Sequence, residues 1–217
     1  MNEVVRAFHQ LYYASPETTW ANTRWLGVRA QKCPLDLWSY QEILHEVRPD
    51  LIIETGTAEG GSGLFLASMC DLLGRGSVVT IDVLPNPSRP RHRRLTYLLG
   101  SSTDPAIVEQ ARRRAGRDGR VLVILDSDHS KEHVQAEMRA YADLVSVGSY
   151  LIVEDTNVNG HPVLPDFGPG PREAVEEFLE ERPDFAVDAD REKFLMTFNP
   201  MGYLRRHRLG RVEAGVR

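Results

Sequence analysis

The sequence feature that most constrains the fold is an alternation of short apolar runs with stretches of helical periodicity. Continuous apolar runs of this length are typical of strands that are buried on both faces of a sheet. The predicted strands are Leu51–Ile53, Ser77–Val83, Arg94–Leu99, Val121–Leu125, Tyr150–Val153, Phe185–Val187 and Phe194–Thr197. The predicted helices are Trp38–Val47, Ser62–Leu73, Asp104–Arg114, Lys131–Leu144 and Arg172–Glu181. This order predicts an α/β fold with a mostly parallel sheet and helices on both faces.

The two ends of the chain complete this prediction. The last two strands are joined by the short polar connection Asp188–Lys193, which predicts a hairpin and therefore one antiparallel strand in a seven-stranded sheet. A chain of 217 residues suits one such domain. Within it we expect a helical and aromatic N-terminal cap segment (1–48), a core (49–204) and a basic tail (205–217).

Composition argues against several classes of partner. The hydrophobic fraction of 41% and the charged fraction of 26% are ordinary for a soluble globular protein. No signal peptide pattern opens the chain and no apolar run approaches the ~20 residues that span a bilayer, so we expect a cytoplasmic protein without membrane contact. The net charge of −5 argues against nucleic acid as a partner. The basic runs Arg89–Arg94 and Arg205–Arg211 lack interleaved aromatic residues, which predicts a solvated turn and a solvated tail.

A glycine-rich turn follows the first predicted strand and opens the next helix. It has the sequence ETGTAEGGS, from Glu54 to Ser62. In such a turn, glycines let the backbone approach a ligand at the carboxyl edge of the sheet. Glu54 stands where a dinucleotide-binding turn is usually still apolar, and the glycine spacing departs from G-x-G-x-x-G. A carboxylate at this point suits the ammonium group of a methionine moiety.

A second acid, Asp82, ends the second predicted strand, where it can accept hydrogen bonds from ribose hydroxyls. Acids at two successive strand ends favour S-adenosylmethionine over NAD. The alternative is that the glycines only permit a tight turn, that Asp82 caps the next segment, and that Ser102 belongs to a helix cap. The predicted cofactor-binding residues are Glu54, Thr55, Gly56, Thr57, Gly60, Gly61, Ser62, Asp82, Ser102 and Asp126.

Carboxylates also follow the fourth and fifth predicted strands. Asp126 and Asp128 come after the fourth, and Glu154 and Asp155 after the fifth. Because consecutive parallel strands end side by side, this much like charge would force protonation or destabilise the fold unless it were compensated. A divalent cation such as Mg²⁺ provides the compensation, and its predicted ligands are Asp128, Glu154 and Asp155. The alternative is that these acids cap helices and pair with Lys131 or with arginines.

These segments resemble the family named for cephalosporin hydroxylases, which also contains rhamnosyl and other sugar O-methyltransferases. The similarity runs roughly from Trp20 to Tyr203. It implies a Rossmann-like class I methyltransferase with bound S-adenosylmethionine, a divalent metal and a homo-oligomeric state. The matching stretches are ETGTAEGGS (Glu54–Ser62), LDSDHSKEHV (Leu125–Val134), VEDTNVNGHP (Val153–Pro162) and NPMGYL (Asn199–Leu204).

A more distant similarity, restricted to the acidic corner, is to catechol O-methyltransferase. That family has the pattern Asp-His-x-Lys after the fourth strand and an acid-amide pair after the fifth. The segment Asp128–Lys131 fits the first pattern. Glu154-Asp155 departs from the second, because a second carboxylate replaces the amide.

The catechol O-methyltransferase resemblance implies that Lys131 is the general base. His129, which follows a predicted metal ligand, is a second candidate catalytic residue. His161 is a third, because it lies in the loop Asn159–Pro171, which is rich in proline and glycine and could reach into the site. For each of them an ordinary structural or surface role is the open alternative.

The combined prediction is a metal-dependent S-adenosylmethionine methyltransferase. Its acceptor would be a hydroxyl or amino group on a sugar-containing small molecule, a glycoside or an aminoglycoside, in an antibiotic pathway. N-methylation of an aminosugar is the alternative, because an acidic pocket attracts a polycation. A hydroxylase is a further alternative, raised by the name of the family. An iron-dependent hydroxylase is disfavoured, because a non-haem iron site usually contains two histidines and a carboxylate with one His-x-Asp/Glu pair, and this sequence has no such pair.

Overall fold

The computed structural model describes residues 2–116 and 118–208. The strands are β1 (Arg24–Trp25), β2 (Val28–Arg29), β3 (Leu51–Thr55), β4 (Ser77–Asp82), β5 (Leu95–Leu99), β6 (Val121–Leu125), β7 (Tyr150–Val153), β8 (Phe185–Val187) and β9 (Tyr203–Arg206). The helices are α1 (Glu3–Tyr13), α2 (Pro34–Val47), α3 (Gly61–Leu72), α4 (Pro105–Ala115), α5 (Lys131–Tyr141) and α6 (Pro171–Glu181).

Seven strands form one sheet in the order β5-β4-β3-β6-β7-β9-β8. All neighbouring pairs from β5 to β7 are parallel, whereas β9 is antiparallel to both β7 and β8. The prediction of a mostly parallel seven-stranded sheet with one antiparallel strand is therefore confirmed. The strand order reverses between β3 and β6, and in open α/β sheets ligands bind at the carboxyl edge beside such a point.

The sheet is buried on both faces, which explains the continuous apolar runs in the sequence. Along β3 and β6, Ile53 and Val123 join one core cluster, whereas Ile52 and Ile124 join the other. This alternation follows from the period of two residues along a strand. The first cluster includes residues of α4, α5 and α6, and the second includes residues of α2 and α3.

The last strand lies elsewhere than predicted. Phe194–Thr197 does not join the sheet; β9 takes that place, and the predicted hairpin connection contains the 3₁₀ turn Ala189–Glu192. Leu195 has a φ of 69°, which interrupts an extended chain. Met196 and Phe198 pack instead with Cys33 and with aromatic residues of the N-terminal segment.

The N-terminal segment contains α1 and α2 and several aromatic residues, and it also contains the unpredicted antiparallel hairpin of β1 and β2. At the other end, the predicted basic tail begins inside β9, and its residues 209–217 lie outside the described residues. Among the residues that the structure describes, none of the helices combines the length and the apolar composition needed to cross a membrane.

His9 attaches α1 to the core and makes the stability of the protein depend on pH. Its ring stacks on Phe198 at 5.6 Å, and its Nε2 lies 3.0 Å from Nδ2 of Asn157. Burial lowers the pKa of His9 from 6.5 to about 4, so the folded state excludes a proton that the unfolded chain takes up. Above pH 6.5 the ring is neutral in both states, so burying it carries no protonation penalty. As pH falls from 6.5 toward 4, protonation stabilises the unfolded chain only, and the free energy of unfolding decreases. We expect a loss of roughly 2 kcal/mol between pH 7 and pH 5.

The variant His9→Gln provides the comparison, because it cannot titrate. Urea unfolding of both proteins at pH 7 and at pH 5 measures the two losses, and the parent should lose more stability than the variant. Equal losses in the two proteins would contradict the assignment to His9.

Candidate active site

A cavity of about 570 Å³ opens at the carboxyl edge of the sheet, beside the point where the strand order reverses. Its walls come from the turn after β3, the end of β4, the loop after β5 and the segment after β6. Asp155 and His133 also border it, and the N-terminal segment contributes Trp20 and Gln31. The predicted residues that border the cavity are Gly56, Asp82, Ser102, Asp126, Asp128, His129 and Asp155.

The glycine turn is shaped by close backbone approaches. Gly56 has a φ of 82°, and a Cβ atom there would lie 1.6 Å from the carbonyl oxygen of Asp126. A Cβ on Gly61 would lie 2.2 Å from the carbonyl oxygen of Arg29, because the β1–β2 hairpin crosses the start of α3. The two glycines therefore bring the turn against the end of β6 on one side and against the N-terminal segment on the other.

Glu54 lies beneath the turn, within the protein, and does not face the cavity. It is only 1% exposed, and the hydroxyls of Ser62 and Thr80 are near enough to lower its pKa, although neither makes a hydrogen bond of ordinary geometry to it. Burial raises the pKa of Glu54, while the ammonium group of Lys32 opposes the shift. The other predicted cofactor residues that lie behind the cavity wall are Thr55, Thr57, Gly60, Gly61 and Ser62.

Asp82 borders the cavity with its carboxylate held in place by neighbours. Its Oδ2 accepts from the backbone N–H of Ala58 at 2.9 Å and from Arg89 at 2.8 Å, and its Oδ1 accepts from the N–H of Leu84 at 2.9 Å. Arg89 also donates to the carbonyl oxygen of Ala58, and its side chain is 7% exposed. The prediction of a solvated turn is therefore wrong for Arg89, which pairs with an acid at the cavity.

Three side chains converge at the cavity after β6 and β7. Asp126, His129 and Asp155 each offer one atom, and these atoms lie within 4.8 Å of one another. Nε2 of His129 lies 3.1 Å from Oδ2 of Asp155, whose φ of 54° is unusual for a residue other than glycine. Burial alone would lower the pKa of His129, but the two carboxylates raise it. We call these three residues the acidic cluster.

Asp128 borders the cavity outside the acidic cluster. Its Oδ1 accepts from the backbone N–H of Ser130 at 2.8 Å, and hydrogen bonds from Ser130 lower the pKa of this carboxyl. The structure thus brings Asp126 to the cluster and leaves Asp128 as a local cap, whereas the ligand set predicted from the sequence contains Asp128 and omits Asp126.

Sequence reasoning missed Lys32, whose ammonium group bonds to Asp126 and, at 2.6 Å, to Oε2 of Glu154. The Lys32 side chain is 4% exposed. Burial alone would lower the pKa of Lys32, but the carboxylates raise it above its usual value. Burial also raises the pKa of Glu154 to about 7 and that of Asp126 to about 6, against the effect of Lys32. The sequence offered only a weak signal for Lys32, namely that lysine is rare in this chain, with three lysines among 26 basic residues.

A second missed group lies beside the loop after β5. Nε2 of His133 lies 3.2 Å from Oγ of Ser102 and 3.5 Å from Oε1 of Glu137. Glu137 is fully buried and accepts from Oγ of Ser127 at 2.7 Å. The hydrogen bond with Glu137 raises the pKa of His133. The spacing of four residues on a helix was the sequence signal for this pair.

The other two predicted catalytic residues point elsewhere. Lys131 bonds to Glu177 of α6, and Nε2 of His161 lies 3.0 Å from Oε1 of Glu173. In the described part of the chain, neither Lys131 nor His161 borders the cavity. His129 is the predicted catalytic residue that does.

Comparison with known proteins identifies the family. A family model described as Rhamnosyl O-methyltransferase/CmcI matches residues 17–207. The rhamnosyl O-methyltransferase of Mycobacterium tuberculosis (strain ATCC 25618 / H37Rv) is 45% identical over an alignment 211 residues long, which covers 94% of this chain and 85% of that protein. The chain belongs to the Rhamnosyl O-methyltransferase/CmcI family. The family and the enzyme class predicted from the sequence, a methyltransferase, are confirmed.

Two solved structures resemble this family member in fold. The structure described as cmcI-D160 Mg-SAM has a TM-score of 0.66 and 22% identity, covering 87% of this chain and 78% of that chain. MycE from the mycinamycin biosynthetic pathway, in complex with Mg, SAH and mycinamycin VI, has a TM-score of 0.56 and 19% identity, covering 83% and 50%. At these identities the likeness concerns the fold alone.

Proposed function

We propose that this family member transfers a methyl group from S-adenosylmethionine to a sugar hydroxyl of a glycoside, with Mg²⁺ as the second cofactor. One observation carries the proposal. A single cavity of about 570 Å³ borders both the glycine turn with Asp82 and the acidic cluster, so a bound cofactor and a polar acceptor would share one space. The rhamnosyl O-methyltransferase relative supports a sugar hydroxyl as the acceptor.

S-adenosylmethionine fits the part of the cavity bordered by the glycine turn and Asp82. Backbone atoms of Gly56 are open to a ligand, because this position has no side chain. Asp82 suits the ribose hydroxyls, while Ser102 and His133 offer polar atoms for the adenine.

The acidic cluster suits a divalent cation. Asp126 and Asp155 supply carboxylate oxygens at the cavity, the donors that Mg²⁺ prefers, and Glu154, which lies behind the cavity wall and shares Lys32 with Asp126, is the third carboxylate of the proposed set. Oε1 of Glu154 is buried without a hydrogen-bond partner among the described residues, which supports a cation near it. In this ligand set Asp126 replaces the Asp128 expected from the sequence. The cation would supply positive charge that favours the deprotonated form of an acceptor hydroxyl.

His129 is the general base in this proposal. Its Nε2 lies 3.1 Å from Oδ2 of Asp155, an arrangement that orients the ring toward the cavity. Methyl transfer is an in-line displacement, so the walls around Gly56 and Asp155 must hold the sulfonium carbon and the acceptor oxygen in line. With Nε2–H donated to Asp155, the neutral His129 ring would take the hydroxyl proton on Nδ1 as the new carbon–oxygen bond forms and S-adenosylhomocysteine leaves.

The activity test uses S-adenosylmethionine with a labelled methyl group, a panel of rhamnosyl glycosides and aminoglycosides, and mass spectrometry of the products. We expect label on a sugar oxygen when Mg²⁺ is present and no label when the metal is chelated. Label on nitrogen would favour the aminosugar alternative. Oxygenation dependent on 2-oxoglutarate, without methyl transfer, would contradict the proposal.

Substitution separates the three candidate catalytic residues. His129→Gln should lower kcat by about 10²-fold, because a positioned base contributes roughly that much or more. Lys131→Ala and His161→Ala should each keep kcat within about twofold, because their side chains bond to glutamates away from the cavity. The measurement is kcat with cofactor and metal saturating. A larger loss in Lys131→Ala than in His129→Gln would reject His129 as the base.

Three further predictions from the sequence and the family resemblance complete the proposal. They are a role in an antibiotic pathway, a homo-oligomeric state and the division of the chain into a cap segment, a core and a tail. The first is the prediction from the family resemblance, and the labelled-acceptor panel described above tests it. Sedimentation of the purified protein would test the second.

A further inference from the structure

Lys32 is a buried cation at the centre of the carboxylates that the proposed function assigns to a divalent ion. We propose that Lys32 is a resident counter-cation which competes with the divalent ion for Asp126 and Glu154, and that it thereby limits how tightly the ion binds. This inference rests on the metal site of the proposed function.

The contacts of the ammonium group support competition. Nζ of Lys32 bonds to Oδ2 of Asp126 and, at 2.6 Å, to Oε2 of Glu154. The Lys32 and Glu154 side chains are 4% and 6% exposed, so water does not screen this pair. A divalent ion that uses the same two carboxylates must therefore share their oxygens with Lys32 or displace it.

The charges around Lys32 show why a resident cation is needed. Four carboxylates, those of Glu54, Asp126, Glu154 and Asp155, lie close together at the ends of β3, β6 and β7. Without a cation, their burial would be strongly unfavourable. Lys32 compensates part of this charge before any ion binds. A divalent ion at the same oxygens is repelled by the ammonium group, because like charges interact strongly where water is excluded.

The backbone of Lys32 is held so that its side chain reaches the carboxylates. Its N–H donates to Oγ1 of Thr23 at 3.0 Å, and the same hydroxyl lies 3.1 Å from the Lys32 carbonyl oxygen. The preceding residue, Gln31, has a φ of 55° and borders the cavity. The N-terminal segment therefore provides both a residue that borders the cavity, Gln31, and the buried counter-cation, Lys32.

The affinity for Mn²⁺, measured by titration calorimetry without cofactor or acceptor, tests the proposal. The variants are Lys32→Met and Lys32→Gln, and Lys193→Met is the matched control, because Lys193 pairs with Glu42 on the surface. We expect both Lys32 variants to bind Mn²⁺ at least about tenfold more tightly than the parent, and the control to match the parent. Equal or weaker binding by the Lys32 variants would overturn the inference.

The same titration separates this inference from the proposed function. Binding of Mn²⁺ by the parent supports the metal site whatever Lys32 does, and the ratio of variant to parent then decides the role of Lys32. Binding by the Lys32 variants alone also supports competition. Failure of the parent and both variants to bind would overturn the metal site and, with it, the inference.

A second measurement uses the parent protein and so does not depend on the folding of a variant. The chain has three lysines, Lys32, Lys131 and Lys193, which a lysine-selective acylating reagent and mass spectrometry can follow separately. Saturating Mn²⁺ should make Lys32 react several-fold faster, because the ion releases it from the carboxylates. The other two lysines serve as internal references. An unchanged or slower reaction of Lys32 would overturn the inference where the variants do not fold.

Discussion

Asp155→Asn is expected to lower kcat by about 10³-fold while leaving the fold intact. Asn accepts the left-handed backbone conformation at this position, where φ is 54°, more readily than most residues do. The backbone N–H of Asp155, which donates to Oδ1 of Asn199 at 3.1 Å, is retained. The variant thus removes one negative charge from the acidic cluster and the ionic partner of His129.

The matched control for this prediction is Asp128→Asn. Asp128 also borders the cavity, but its carboxylate accepts from the N–H of Ser130, a bond that an amide oxygen can also accept. We expect kcat of the control to stay within about threefold of the parent. Methyl transfer, Mn²⁺ affinity and thermal unfolding should be measured on both variants. A loss in Asp128→Asn as large as that in Asp155→Asn would restore the ligand set predicted from the sequence.

Continuous apolar runs predict the strands that are buried on both faces of the sheet, and a short run also predicts the edge strand Phe185–Val187. The strand Val121–Leu125 was predicted with its observed bounds, because every residue of it is buried and polar residues flank it. The failure at Phe194–Thr197 has a physical cause. Of its three apolar residues only Met196 is buried, and it packs against the N-terminal segment, whereas Leu195 is 71% exposed. An apolar run alone does not reveal which surface covers each of its residues.

For the candidate site, the sequence predicted which strand ends border the cavity but not how the side chains beyond them are oriented. Asp82, predicted to bind the cofactor, does border the cavity, because strand ends define an edge of the sheet; its binding role stays a prediction. The choice between Asp126 and Asp128 was not predictable, because the two-residue alternation stops where the strand ends. There, the hydrogen bond from Ser130 turns Asp128 into a local cap.

Lys32 illustrates a limit of another kind. Its partners Asp126 and Glu154 lie 94 and 122 residues away in the sequence, so no local spacing connects them. A sequence with an uncompensated group of carboxylates predicts that some cation is present. It leaves open whether that cation is a bound ion, a distant side chain or both.

Gly56→Ala is expected to abolish cofactor binding and to lower the free energy of unfolding by about 3 kcal/mol or more. Its Cβ would lie 1.6 Å from the carbonyl oxygen of Asp126 and 2.5 Å from the carbonyl carbon. These are backbone atoms at the end of a central strand, so no side chain can rotate away to make room. Either the ends of β3 and β6 separate or the turn shifts, and both changes move the cavity wall.

The control Gly74→Ala separates this clash from backbone strain. Gly74 has a φ of 71°, close to the 82° of Gly56, but a Cβ there meets no heavy atom within 4 Å. It should therefore lose only the ~1 kcal/mol that a left-handed conformation costs alanine, and it should bind S-adenosylmethionine like the parent. Urea unfolding and titration calorimetry measure both effects. If Gly56→Ala unfolded like Gly74→Ala and still bound the cofactor, the close approach of the turn to β6 could not be what shapes this end of the cavity.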